Sequence, residues 1–522
     1  MSVVPGTVET DRQPPMTIPL RHFLFALVFL AAGVITGFGS GIGTLGGLSS
    51  LAHVHLLLAG WVCVTIMGAM TQFVPVWSGV ELHSRTLATR QLQLVVVGLG
   101  GFAIGLFTGR LALVPVFGAV MLLGFWIFVY NLARTLQSIG SASDLDVTER
   151  HFAIALGFFL LVTTLGILLA IDFVRPVLSV LPVSRLDVVG AHVTLAVFGA
   201  VLTTVLGALY QLATMFTQTE LHGIDLPMKR FEEIGYPIGV LSLATGRLLG
   251  IHVLGVVGGV LVLGGIISMS VILARRLVET RVPWTPMLSR YAVLSPAMAI
   301  WALLTLPVWV RDPLSASVLF GAPGTVHLLT FGVIGFVVLG TVYHVVPFIV
   351  WVHRYSDLLG FEDVPMIDDL YSDRLARLDF ASFLVGTLLI VATDLIAAAE
   401  LVAAAGSIVG IEGGIVGGEQ RIDGVVRSVG GAVVLAGTVA FCWNIVAVLR
   451  THSPYSIAEI LFGATAADSS SIDDPSTVDS PPTADGSPTV DGPSTVDSRS
   501  TVDDESSVTR PNSGGDLPPD RT

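Results

Sequence analysis

Lysine is almost missing from this sequence: Lys229 is the only one in 522 residues. Charged residues make up 12% of the chain, about half of what a water-soluble domain carries, so an ordinary soluble enzyme is excluded. With so few cations, no basic patch for nucleic acid can form. Cysteine is scarce too: Cys63 and Cys442 both lie inside apolar stretches. That rules out a disulfide framework, a thiolate metal site and a CxxC haem attachment. Net charge is −13, but residues 465–522 hold 12 acidic residues against 3 arginines. The rest of the chain is close to neutral.

What is abundant is apolar sequence: 53% of residues are hydrophobic, in runs of about 20, the length that crosses a bilayer. The runs predict an all-α, polytopic membrane protein with twelve transmembrane helices. They lie near 22–45, 51–77, 88–109, 111–133, 151–171, 188–217, 234–250, 252–274, 289–310, 323–351, 379–404 and 427–449. The first run is too long for a signal peptide and is kept as a helix. Loops after even-numbered spans carry the denser arginines, such as Arg275, Arg276 and Arg281 or Arg354, Arg374 and Arg377. The positive-inside rule then puts both termini in the cytoplasm, and spans 2, 6 and 10 start at the outer face.

Three segments follow: a cytoplasmic stretch 1–20, a membrane domain 21–452 and a tail 465–522. The tail repeats Pro-Ser-Thr-Val-Asp themes with almost no large apolar residues, so it is expected to stay disordered. Its acidity and the single lysine suit a high-salt (halophile) cytoplasm.

Comparing the chain with itself reveals an internal repeat. Span 2 reads His53-Val-His55, then Gly60, Gly68, Gln72 and Pro75. Span 6 reads His192-Val-Thr194, then Gly199, Gly207 and Gln211. Span 10 reads Thr325-Val-His327, then Gly332, Gly340, His344 and Pro347. Each copy has glycines at +7 and +15 and a polar residue at +19, and the copies are 139 and 133 residues apart. Twelve spans thus divide into three quasi-equivalent groups of four. The glycines let a neighbouring helix or a flat macrocycle approach closely.

Histidine inside a span is costly without a partner and marks a bundle-facing site. His53, His55, His192 and His327 all fall in the first turns of spans that start at one face, and so share a depth. A b-type haem takes two such histidines from facing helices. His53 and His55 are separated by about 200° around a helix and cannot both ligate one iron. One would be the ligand and the other a hydrogen-bonding or interfacial residue.

With these motifs the chain resembles subunit I of the haem–copper oxidase superfamily over about residues 20–450. That family carries a His-x-His pair in span 10, where this chain has Thr325-Val-His327, and a His-x-x-Pro ending, matched by His344 and Pro347. In span 2 its low-spin haem histidine is followed by glycine at +15 and Asn at +19; here His53 is followed by Gly68 and Gln72. The resemblance implies one low-spin bis-histidine haem b held by His53 and His327, with His55 in reserve. It also implies propionate partners in the loop between spans 11 and 12, where Arg421 and Arg427 occur.

The departures matter as well. The family's high-spin haem ligand is replaced by Thr325. Its copper site needs a His-Pro-Glu motif in span 6 and a His-His pair, and neither is present. Copper is therefore not expected, nor is a complete binuclear centre. His344, about 25 Å from His327 along the helix, is a candidate for a second haem. His83, His222 and His353 fall at cytoplasmic helix ends, and His252 begins span 8 at the outer side. Asp394 and Glu400 in span 11 receive no role.

The expected function is electron transfer in or beside a respiratory chain, with a donor or acceptor subunit and membrane lipid as partners and no nucleic acid. Two alternatives stay open: a transporter or gas/haem sensor on the same fold, and a working oxidase with unorthodox ligands.

Overall fold

The computed structural model describes residues 14–141, 143–406 and 416–463, with side chains from 401 to 423 excepted. The Arg421 side chain and the expected tail at 465–522 lie outside what is described, as does most of the stretch 1–20.

The helices are α1 (Thr17–Gly41), α2 (Ser49–Ser78), α3 (Arg85–Phe107), α4 (Leu113–Gln137), α5 (Val147–Asp172) and α6 (Arg185–Thr217). They continue with α7 (Asp225–Leu249), α8 (His252–Val278), α9 (Pro286–Arg311), α10 (Leu328–Arg354), α11 (Asp373–Gly406) and α12 (Val416–His452). Eleven helices among the described residues are long and apolar enough to cross a membrane. The exception is α7. Its 25 residues begin nine positions before the expected span because Asp225, Lys229, Arg230, Glu232 and Glu233 are helical, although a hydropathy reading stops at them.

Helix starts follow ordinary capping chemistry. Ser84, Asp146, Ser184 and Thr285 each accept a backbone N–H of the first turn of α3, α5, α6 and α9. In α5 and α6, Glu149 and Asp187 reach back to close a capping box.

Packing follows a period of four. The most extensive contacts join α3 to α4, α7 to α8 and α11 to α12, and α12 returns to pack on α1. Burial is highest in α2, α6 and α10, where 67%, 83% and 83% of the apolar window is enclosed against 33–61% elsewhere. These are the inner helices.

Each inner helix contains a π-helical stretch: Leu56–Val62, Leu195–Leu202 and Leu328–Gly335. Their starts are 139 and 133 residues apart, the spacing of the sequence repeat, and Gly60, Gly199 and Gly332 lie within them. A π turn inserts a residue into the helix and rotates everything after it.

The repeat glycines serve helix packing. A Cβ on Gly68 would come within 2.7 Å of His22 Cβ on α1, and one on Gly207 within 2.4 Å of His151 Cβ on α5. At Gly340 the neighbour is Arg290 Cβ on α9, at 3.2 Å. No histidine of the repeat lies beside these glycines, so their close approach is between helices.

Candidate functional site

His53 sits in the second turn of α2 against α1. Its Nδ1 lies 2.8 Å from the carbonyl oxygen of Gly33. A carbonyl only accepts, so Nδ1 carries the proton and Nε2 keeps its lone pair. Gly37, one turn further along α1, makes room for the ring: a Cβ there would stand 2.4 Å from His53 Cε1.

His327 precedes the π stretch of α10. Its Nδ1 lies 2.5 Å from Asp394 Oδ2 on α11, and Arg427 Nη2 on α12 reaches the other oxygen, Oδ1, at 3.2 Å. Phe331 stacks on the imidazole with centroids 5.9 Å apart. Each of the two residues expected to pair thus has its Nδ1 engaged.

His55 turns elsewhere. Its Nδ1 is held 2.8 Å from the Leu51 carbonyl, and the ring leans on Phe102 of α3 at 4.9 Å. It lines a cavity shared with His192, away from His327. His192 is tethered by Nδ1 to the Val162 carbonyl of α5 at 3.0 Å, and Gly166 makes room for it as Gly37 does for His53.

The third sector, between α6 and α10, has threonines where the others have histidines. Thr194 and Thr325 are both fully buried. Arg247 of α7 donates to Thr194 Oγ1 at 2.8 Å and to the carbonyls of Pro313, Val318 and Leu319. Its guanidinium lies 5.2 Å from the centroid of Trp309. Phe198, Trp301 and Trp309 pack on one another at 5.4–5.7 Å.

The remaining candidates are dispersed. Arg427 is half-exposed and engages Asp394. His344 lies between Phe216 and Phe348. His252 meets the Arg311 carbonyl, His222 meets Glu279, His83 meets Tyr130 edge-on and His353 caps its own helix. Glu400 is exposed. Among the described residues no group of three or more His, Cys, Asp or Glu forms a metal-binding cluster.

Sequence reasoning passed over Asp394, which joins His327 to Arg427. Its signal was present, an intramembrane carboxylate, but the partner is 67 residues away. It also passed over two buried polar clusters at the opposite end of the bundle. In one, Glu232 accepts from Tyr210 and His151. In the other, Asp379 accepts from Arg290 and Tyr343, and Asn444 donates to the Tyr343 hydroxyl.

No family model matches the chain, and no curated protein matches it. A solved cryo-EM structure of a heme-copper terminal oxidase dimer superimposes with a TM-score of 0.63 at 13% identity, covering 84% of this chain and 85% of that one. The chain has the fold of a haem–copper terminal oxidase. At that identity the likeness is one of fold. Together with the apolar helices, it makes this a multi-pass membrane protein.

Proposed function

We propose that this oxidase-fold protein is a haem-binding electron-transfer protein of the membrane, without the oxidase's binuclear centre. His53 and His327 would hold one low-spin haem b. The residues fit that group: two imidazoles come from different inner helices, and each is locked by its Nδ1–H so that Nε2 is the free donor atom. These two Nδ1 tethers are the observation that carries the reading. Bound haem supplies one-electron chemistry at the iron, and imidazoles on both faces favour six-coordination over gas binding.

The chain's own residues have separable roles. Gly33 and Gly37 hold and admit the His53 ring. Asp394 orients His327 and, as a carboxylate behind the ligand, makes it a stronger donor. Arg427 and Arg421, which lie within α12 and not in the expected loop, supply positive charge for propionates. Thr194 and Thr325 stand at the repeat positions where a further metal site would need imidazoles. We read α7 as a further span, which gives twelve in three groups of four with both termini cytoplasmic. A separate subunit would donate or accept the electrons.

Reduced-minus-oxidised spectra of the purified chain test this. A b-type band that weakens or disappears in His53→Ala and His327→Ala is expected, with no copper by elemental analysis. A colourless protein would reject the reading in favour of a transporter, and stoichiometric copper with oxygen uptake would reject it in favour of an oxidase.

A further inference from the structure

A second pair of histidines faces a cavity of its own. Helices α2 to α6 surround a space of about 520 Å³, within the range of pockets that enclose small-molecule ligands. Its walls are almost wholly apolar, including Phe102, Met121, Phe125 and Phe159. Two imidazoles interrupt them, His55 from α2 and His192 from α6.

Both rings are prepared as ligands. His55 donates Nδ1–H to Leu51 and His192 donates Nδ1–H to Val162, so each Nε2 retains a lone pair that no group among the described residues uses. An apolar pocket gains nothing from two such atoms unless its occupant pairs with them. Among the described residues, the only charged side chain lining the cavity is Arg185, at the start of α6. It already bonds Asp172 at 2.6 Å and lies over Phe173, but a guanidinium has five donors and some remain.

The His192 tether repeats that of His53. In each case the preceding helix supplies a carbonyl, from Gly33 or Val162, and a glycine four residues later, Gly37 or Gly166, leaves space for the ring. Because His53 and His55 leave α2 on roughly opposite sides, one helix supplies a ligand to each of two sectors.

We propose that the α2–α6 cavity binds a second metalloporphyrin, with His55 and His192 as its axial ligands and Arg185 as a propionate partner. Binding forms two bonds from imidazole lone pairs to the iron and requires no other reactant. This site differs from the sector of Thr194 and Thr325 and stands independently of the His53–His327 pair.

The test is haem stoichiometry by pyridine haemochrome on the full-length, membrane-extracted protein, with elution volume in detergent reporting the fold. Wild type is expected to hold two haems per chain. His55→Ala and His192→Ala should each hold one, as should His53→Ala and His327→Ala, and His53→Ala/His55→Ala should hold none. Gly118→Leu places a bulky side chain on the cavity wall, and no histidine is among the nearest neighbours of its Cβ. Its Cβ meets neighbours only at 3.5 Å and beyond, so it tests the site even where a histidine variant fails to fold. A single haem per chain, unaffected by His55→Ala, His192→Ala and Gly118→Leu, overturns the proposal. A single haem lost in those three and retained in His53→Ala upholds it and overturns the first site instead.

Discussion

Asp394→Asn isolates the electrostatic tuning of the His327 site. The substitution keeps an oxygen for the His327 Nδ1–H but removes the negative charge 2.5 Å from that nitrogen. Across the imidazole ring and a metal–nitrogen bond, the carboxylate would lie about 6 Å from the iron. At an effective dielectric constant near 20, a unit charge at that distance contributes about 3 kcal/mol. A one-electron couple moves 59 mV per tenfold change, so the shift is on the order of 100 mV. Its sign is fixed: a negative charge favours the more oxidised iron, and removing it raises the midpoint potential. Arg427 opposes the carboxylate but is half-exposed and screened, so it reduces the shift without reversing it. Spectroelectrochemical titration of the α-band reads the potential. An unchanged or lowered midpoint in a variant that retains its haem would refute the coupling between Asp394 and His327.

Gly37→Ala brings a methyl to 2.4 Å from the His53 ring, so it should displace the ligand and remove one haem while leaving the chain folded, as haemochrome and detergent elution would show. Arg427→Ala should lower the midpoint potential, opposite in sign to Asp394→Asn, in the same titration. Asp379→Ala leaves Arg290 buried without its counterion and should cost about 3–5 kcal/mol, seen as a large drop in thermal unfolding temperature in detergent. Thr325→His alone should produce no high-spin haem signal in electron paramagnetic resonance, because Thr325 is fully buried with its hydroxyl bonded to the Ala322 carbonyl and its surroundings are packed around that smaller side chain.

Much of this architecture is local and therefore legible in one dimension. Runs of about 20 apolar residues must be helices where water is excluded, since only a helix satisfies its own backbone there. The recurrence of a polar head with glycines at +7 and +15 marked α2, α6 and α10, and those are the most enclosed helices. The same recurrence extends to the π stretches, which no residue pattern announced. The missed start of α7 has a local cause too: hydropathy stops at Lys229 and Glu232, whereas the helix continues through them and buries Glu232 against His151 and Tyr210.

Tertiary structure decided where each histidine points. His53 and His55 are two residues apart and look equivalent in the sequence, yet one turns to α1 while the other enters the α2–α6 cavity. The direction of a side chain depends on the rotation of its helix, which neighbours on α1, α3 and α5 set. Gly37 and Gly166 escaped notice because each is matched to its histidine across a turn of different length, with no constant spacing to detect. Asp394 is 67 residues from His327, and the two meet only because α11 packs beside α10. Periodicity along a chain records which face of a helix avoids water; it holds no record of which atom, on which other helix, that face will meet.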